Sequence, residues 1–225
     1  IDFIEFGVFG TKEVISNTAL DKKSVGINIA DLYDNLEPRR GGLIDTRLGT
    51  TDAHIQCSTC GLNSIMCPGH FGHIDLASPV YHLGFIPYIK KILNCVCIRC
   101  SRVRINEKNK EDIIELLKYK KGKNRLKDIA DLAKNISSCS YCNTPTAKIK
   151  IDIKKGDASI NFIAEIDVKN LNFESNDNLE KKNFKSILSP NTCYDILKNI
   201  TDDDCRILGL NPEVSRPEEM IIKVF

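Results

Sequence analysis

The chain has 225 residues, 42% of them hydrophobic and 28% charged, with a formal net charge of +2. That composition excludes wholesale disorder, and the near-neutral balance gives no general pull toward nucleic acid or membrane, so any electrostatic argument rests on local clusters. No apolar run approaches membrane-spanning length, and the opening Ile1 to Phe9 carries two acids and no basic start, unlike a signal peptide.

Along the chain, a strand is expected at Ile4 to Phe9, and the rest of residues 1–50 reads as irregular, with a turn near Pro38 and a glycine-containing run from Arg39 to Thr50. Residues 51–75 form a cysteine- and glycine-rich knot too short for an apolar core. Phe85, Ile86, Ile89, Ile92 and Leu93 recur at helical spacing and lead to Cys95 and Cys97. Two further amphipathic helices fit Glu111 to Lys120 and Leu126 to Lys134, joined by a basic turn at Lys120, Lys121 and Lys123. Alternation at Ala147, Ile149, Ile151 and Ile153, resumed at Ile160, Phe162, Ala164 and Ile166, predicts a β-hairpin turning at Lys155-Gly156-Asp157.

Residues 170–186, polar and rich in Asn and Lys, read as a mobile loop. Ser189-Pro190 supplies a cap and a first-turn proline for a helix to about Asn199. Thr201 with Asp202, Asp203 and Asp204 starts another helix, which Gly209 ends. Met220 to Phe225 reads as a strand with no closing turn, so the protein is expected to continue beyond it.

Ten cysteines dominate the chemistry. With no secretory signal, clustered cysteines in a chain this long point to metal ligands in a reducing compartment, and not to a disulfide framework. The first group is Cys57-x2-Cys60-x6-Cys67-x2-His70. Two close pairs separated by a short knuckle aim four soft-to-borderline ligands at one tetrahedral zinc. His54 and His73 are alternatives to His70 but stand outside the paired spacing. The second group is Cys97-x2-Cys100, a gap of 38 residues, then Cys139-x2-Cys142. Cys95 competes with Cys97, but only Cys97 and Cys100 enclose two residues; Cys95 fits a small buried hydrophobe, and Cys193 and Cys205 stand apart. Spacing leaves open a cross-braced arrangement in which the four pairs interleave between two metals. Four protein ligands per site leave no open position for water, so both zincs are expected to be structural.

Several stretches, taken in order, stand out: Phe6-Gly7-Val8, Gly41 to Thr50, Cys57 to Gly61 with Cys67 to Ile74, Pro79 to His82, Lys90 to Leu93 into Cys97-Ile98-Arg99-Cys100, Leu208 to Pro212, and Ser215 to Ile221. Together they resemble the largest subunit of multisubunit DNA-dependent RNA polymerases of eukaryotic, archaeal and large-DNA-virus type. Thr46 stands where that family usually has proline, and Glu219 where many members have tryptophan. The resemblance implies the amino-terminal clamp region, which closes over template DNA and the DNA–RNA hybrid during transcription. Its partners would be the other polymerase subunits, including the second-largest, the RNA transcript and transcription factors, without a membrane. The resemblance also implies nucleotidyltransferase activity of the whole enzyme, with Mg held by an aspartate loop elsewhere in the subunit. No Asn-Ala-Asp-Phe-Asp-Gly-Asp-like stretch occurs here. The compartment would be the nucleus in a cellular eukaryote, and otherwise the cytoplasm, a viral factory or a virion.

The fold expected is α+β: a zinc-stapled clamp core with a helical insertion and a β-hairpin, part of a larger assembly. It divides into an amino-terminal clamp core segment (1–50), the first zinc knot (51–75), a helical segment with the second zinc site (76–146), and the hairpin, mobile loop and carboxy-terminal helices (147–225). Candidate phosphate contacts are Arg39, Arg40 and Arg47 beside the first knot, and Lys120, Lys121 and Lys123. The competing reading is a free-standing zinc-finger module, either a ubiquitin-ligase-like cross-brace or a nucleic-acid binder.

Overall fold

The computed structural model describes residues 2–106, 110–120, 122–153, 160–166 and 184–225, and within them two compact units. One comprises residues 1–8 and 80–221, the other residues 9–79 and 222–225. Helices are α1 Thr11–Asn17, α2 Ile86–Cys95, α3 Lys110–Leu116, α4 Gly122–Ala133, α5 Pro190–Lys198 and α6 Asp202–Leu208. Strands are β1 Tyr33–Asp34, β2 Glu37–Pro38, β3 Asp75–Tyr81, β4 Ala147–Ile153, β5 Ile160–Ile166, β6 Phe184–Leu188 and β7 Ile221–Val224.

The larger unit is built on an apolar core. Ile89, Ile92 and Leu93 of α2 are fully buried, because a stripe of period 3.6 places them on one face. They meet Leu126 and Ile129 of α4, whose buried stripe continues to Ala133 at helical spacing. Strands β4, β5 and β6 form an antiparallel sheet in that order, with Ile149 opposite Ala164, Ile151 opposite Phe162 and Phe162 opposite Leu188. The pleat sends Ala147 and Ile149 inward and Lys148 and Lys150 outward. Phe162 takes the edge of the Tyr81 ring at 5.0 Å. Asn94, one residue before the end of α2, closes the outer edge of β4: its Nδ2 donates to the Ile149 carbonyl at 3.2 Å and its Oδ1 accepts the Ile149 N–H at 2.9 Å.

Helix α5 starts at a Ser189 cap that accepts the Thr192 N–H, with Pro190 in the first turn. In α6 the Thr201 side chain accepts the Asp204 N–H, and Gly209 ends the helix at φ 83°. A Cβ on Gly209 would also press on Arg125, whose guanidinium bonds the carbonyls of Ile207 and Leu117. Arg216 gathers the far end of this unit, donating to Lys198 and Ile200 carbonyls and pairing with Asp202 and Glu218.

The smaller unit has a different economy. Its buried apolar side chains among the described residues are Leu20, Ile27, Cys57 and Pro79, while Thr18, Asp45 and His73 are buried polar groups. His73 Nε2 lies 3.0 Å from the Ser24 carbonyl, which can only accept, so Nδ1 accepts the Thr18 hydroxyl at 2.9 Å. That hydroxyl oxygen in turn accepts the Leu20 N–H. Strand β3 pairs with β7, and Ile74 and Phe225 exchange backbone bonds of 2.7 and 2.9 Å.

Several expectations are corrected. Residues 2–9 form no strand; Phe3, Ile4 and Phe6 are exposed, since a strand needs a partner ladder and this segment is held only at points such as Val8 N–H to Ser215 Oγ. Residues 11–17 are helical, with the Glu13 carboxylate accepting the Gly10 N–H at the helix start. Pro38 lies in β2, and the turn sits at Asn35 and Leu36, both at positive φ. Gly122 opens α4, so Lys123 and Asn124 are helical and not part of a basic turn. Phe184 to Ser186, expected in the loop, pair with β5. Lys121, the hairpin turn at 155–157 and the loop residues 170–183 lie outside the described residues.

Ile89→Ala deletes a fully buried side chain at the α2–α4 contact and is expected to cost about 2–5 kcal/mol. Lys148→Ala, on the solvent face of β4, is expected to stay within about 0.5 kcal/mol. Urea unfolding midpoints of the two variants measure the difference.

Candidate metal centres

Three segments of the chain make the same local turn. At Cys57 the N–H bonds the Leu62 carbonyl (2.9 Å), and the Cys57 carbonyl accepts the Gly61 N–H (2.8 Å). At Cys97 the partners are Arg102 and Ser101, both at 2.9 Å; at Cys139 they are Thr144 and Asn143, both at 2.9 Å. The residue after the second cysteine turns left-handed each time: Gly61 at φ 71°, Ser101 at 59° and Asn143 at 53°. The turn points two sulfurs three residues apart in one direction. Glycine takes that conformation freely and asparagine readily, whereas serine does so at a cost.

The smaller unit joins one such knuckle to Cys67 and His70. All four ligand atoms of Cys57, Cys60, Cys67 and His70 lie within 4.8 Å of one another. Cys60 and Cys67 sulfurs stand 3.6 Å apart, and Cys67 Sγ is 3.8 Å from His70 Nε2. The backbone of Thr46, Arg47 and Leu48 supports both halves: three consecutive carbonyls accept the Ser58 N–H, the Thr59 hydroxyl and the His70 N–H. Asp45 holds that backbone in place. Its carboxylate, 1% exposed, accepts the Gly41 and Arg47 N–H groups and both Nε and Nη2 of Arg47. Burial pushes Asp45 up, but the Arg47 guanidinium and the two backbone donors outweigh it and hold the acid at about 2. Likewise, burial pushes Cys57 up, and backbone N–H groups of Cys60 and Thr59 bring it down to about 6.

The larger unit joins two knuckles face to face. Cys97 Sγ meets Cys142 Sγ at 3.6 Å and Cys100 Sγ meets Cys139 Sγ at 3.5 Å, with all four sulfurs within 4.8 Å. The Thr144 hydroxyl, 3.1 Å from Cys142, leads the groups that lower this thiol to about 6, while burial pushes Cys100 up to about 12. Arg102 connects the pairs: it lies over the Tyr141 ring, inside the second knuckle, and bonds Thr201 at the start of α6.

These distances fit a bound metal. A disulfide needs about 2.05 Å between sulfurs, and all ten cysteines are free. A tetrahedral ion with bonds of about 2.3 Å to sulfur sets its ligand atoms about 3.7–3.8 Å apart. The ligand atoms fall into two separate groups, so the four pairs do not interleave. Cys95 is buried away from both groups, with its sulfur toward the Leu126 carbonyl, and His73 is spent on Thr18 and Ser24. Sequence reading missed Asp45 as a support. The signal for it was an acid two residues before an arginine in a glycine-containing loop.

The candidate phosphate contacts are scattered in engagement. Arg47 is committed to Asp45, Arg39 pairs with Asp31 at 2.8 Å, and Lys120 pairs with Asp128 at 2.5 Å. Among the described residues, Arg40 and Lys123 are exposed and have no carboxylate partner.

Over residues 1–225 the sequence matches the family described as RNA polymerase Rpb1, domain 1. It is 40% identical over its whole length to 15% of the DNA-directed RNA polymerase subunit 1 of Acanthamoeba polyphaga mimivirus. To the DNA-directed RNA polymerase II subunit RPB1 of Euplotoides octocarinatus it is 34% identical, over 97% of this chain and 44% of that protein. To the DNA-directed RNA polymerase subunit Rpo1N of Methanocaldococcus jannaschii it is 39% identical, over 87% of this chain and 14% of that protein. The chain therefore spans less than half the length of these curated relatives.

The left-handed position is a direct test of the knuckle geometry. Asn143→Gly is expected to keep the thermal midpoint near that of the parent, whereas Asn143→Val forces a β-branched residue to φ 53° and is expected to cost on the order of 1–2 kcal/mol. Thermal melts of the two variants compared with the parent give the result.

Proposed function

The chain belongs to the RNA polymerase Rpb1, domain 1, family, and from that premise we propose that it forms the zinc-stapled amino-terminal clamp region of a polymerase largest subunit. In this reading it closes over template DNA and the DNA–RNA hybrid, beside the second-largest subunit, other subunits and transcription factors. Nucleotidyl transfer and its magnesium belong to the rest of the enzyme. The observation that carries the reading is the match over all 225 residues to that family; the two closed four-ligand groups support it. A free-standing zinc finger fits less well, because the family match runs from end to end and covers both ligand groups.

Zinc is the ion that suits seven sulfurs and one imidazole in closed tetrahedra. When bound, it supplies a rigid cross-link and charge to balance thiolates; no water position remains for hydrolytic chemistry. Cys57, Cys60, Cys67 and His70 would hold one ion, and Cys97, Cys100, Cys139 and Cys142 the other. The chain's own residues orient these ligands: the Thr46–Leu48 carbonyls for the first, the Arg102–Tyr141 contact for the second. Two zinc ions per chain are expected by elemental analysis after chelator washing. Cys60→Ser is expected to remove one of them, while Cys193→Ser, buried beside Tyr81, leaves both. One zinc or none in the parent would overturn this reading.

DNA contact in a clamp runs through phosphates, since the enzyme must pass over any sequence. The exposed Arg40 and Lys123 are the freest of the candidate cations, while Arg39, Lys120 and Arg47 have acids to satisfy first. Charge reversal of Arg39 and Arg40 together in the whole polymerase is expected to shorten the lifetime of stalled elongation complexes under salt challenge. Loss of one phosphate contact reduces the log–log salt slope by about 0.9 on duplex DNA. Equal lifetimes across a salt titration would return both arginines to a structural role.

A further inference from the structure

A cleft of about 890 Å³ lies between α2, α4 and β4. Its floor is apolar: Pro87, Ala130, Ala147, Ile149 and Ile151. Its rim is cationic. Lys90, Lys91, Lys127 and Lys148 line it and, among the described residues, have no carboxylate within ion-pair distance. Lys134 and Lys150 also line it, paired with Asp131 and Glu165. Asp131 is the single acid of the lining.

Two polar atoms of residues that line this cleft are buried and lack partners. Arg104 is 5% exposed; one of its terminal nitrogens donates to the Asn94 carbonyl, but its Nε donates to nothing. The Thr146 hydroxyl is also buried and unbonded. A guanidinium N–H and a hydroxyl left without acceptors are costly, and both belong to residues of the same lining, beneath its surface. The wall opposite the helices is β4, an edge strand of its sheet. Asn94 covers that edge at Ile149, and Ile151, the next residue with the same backbone orientation, lies in the cleft lining.

We propose that this cleft docks an acidic peptide segment of a partner protein, with carboxylates reaching the lysine rim and apolar side chains seated on the Ala147–Ile151 floor. Charge complementarity selects the acid: a lysine rim with one carboxylate attracts anions. The apolar floor and the strand edge select a peptide over nucleic acid. An extended peptide alternates side chains and can add to a sheet edge, whereas a phosphate backbone gains nothing from isoleucine and alanine. The proposal does not depend on the clamp reading, because every feature it uses lies in the cleft itself.

The test uses the full-length protein in its native assembly, with a fluorescein-labelled peptide of alternating Glu and Leu and a matched Gln and Leu peptide. Anisotropy is expected to show saturable, salt-sensitive binding of the Glu peptide, at least about tenfold tighter than the Gln peptide. The double variant Lys91→Glu, Lys148→Glu, on the rim, is expected to weaken binding by about tenfold or more with zinc content and thermal midpoint unchanged. Equal binding of the two peptides, an unaffected double variant, or absence of binding in the assembly because another segment fills the cleft would each overturn the proposal. So would a duplex oligonucleotide of matched charge that displaces the peptide and binds as tightly with the same variant sensitivity, since that outcome identifies a nucleic-acid face.

Discussion

The smaller unit depends on the convergence of Cys57, Cys60, Cys67 and His70 on one point. Leu20, Ile27 and Pro79 are its buried aliphatic side chains among the described residues, a small apolar core for a unit of this length. A structural zinc contributes about 10–16 kcal/mol of apparent free energy in small fingers, against about 1.5–3 kcal/mol for burying one such side chain. The remaining order follows from that junction. The Thr46–Leu48 carbonyls are fixed because the knuckle donates to them, and Asp45 is buried because Arg47 must stay where its carbonyl is used. Loss of the ion would leave Asp45 and His73 as buried polar groups in a unit with almost no apolar core.

In the larger unit the order of dependence is reversed. Ile89, Ile92, Leu126, Ile129, Phe162 and Leu197 form one buried apolar cluster, and the second knuckle pair is tied to that core through α2 on one side and Arg102 on the other. Its centre fixes where the long excursion from Cys100 to Cys139 leaves and returns. Helix α4 can therefore pack on α2 although α3 lies between them in the chain. The two centres share a turn but differ in purpose: one replaces a core and the other closes a loop around an existing one.

Much of this was legible in the residues. Paired cysteine spacing pointed to the same two groups whose side chains the structure brings within 4.8 Å of one another, because a knuckle is a local device in which sulfur direction follows from four residues of backbone. Periods of 3.6 and 2 located α2, α4, β4 and β5, and the Ser189 and Thr201 caps marked α5 and α6, since these too are local patterns. Tertiary choices were not legible. Whether Ile4 to Phe9 forms a strand depends on a distant partner that the described residues do not provide, and Phe184 to Ser186 became a strand only because β5 offers an edge to polar residues. Ser101 and Asn143 as left-handed positions were hidden because neither is glycine; the parallel with Gly61 becomes visible only when the three turns are superposed in register. Arg47 read as a free cation because nothing in a linear reading shows that Asp45 is buried beneath it.

Zinc K-edge absorption on the purified protein tests the central claim most directly, since it reports the ligand shell itself. Two closed centres built from these eight residues require seven sulfurs and one nitrogen across two ions, at about 2.3 Å and about 2.0 Å respectively, with no oxygen in the shell. A first shell dominated by oxygen or nitrogen, or a sulfur count near half that expected, would contradict the account by showing that at least one group of cysteines does not hold the ion.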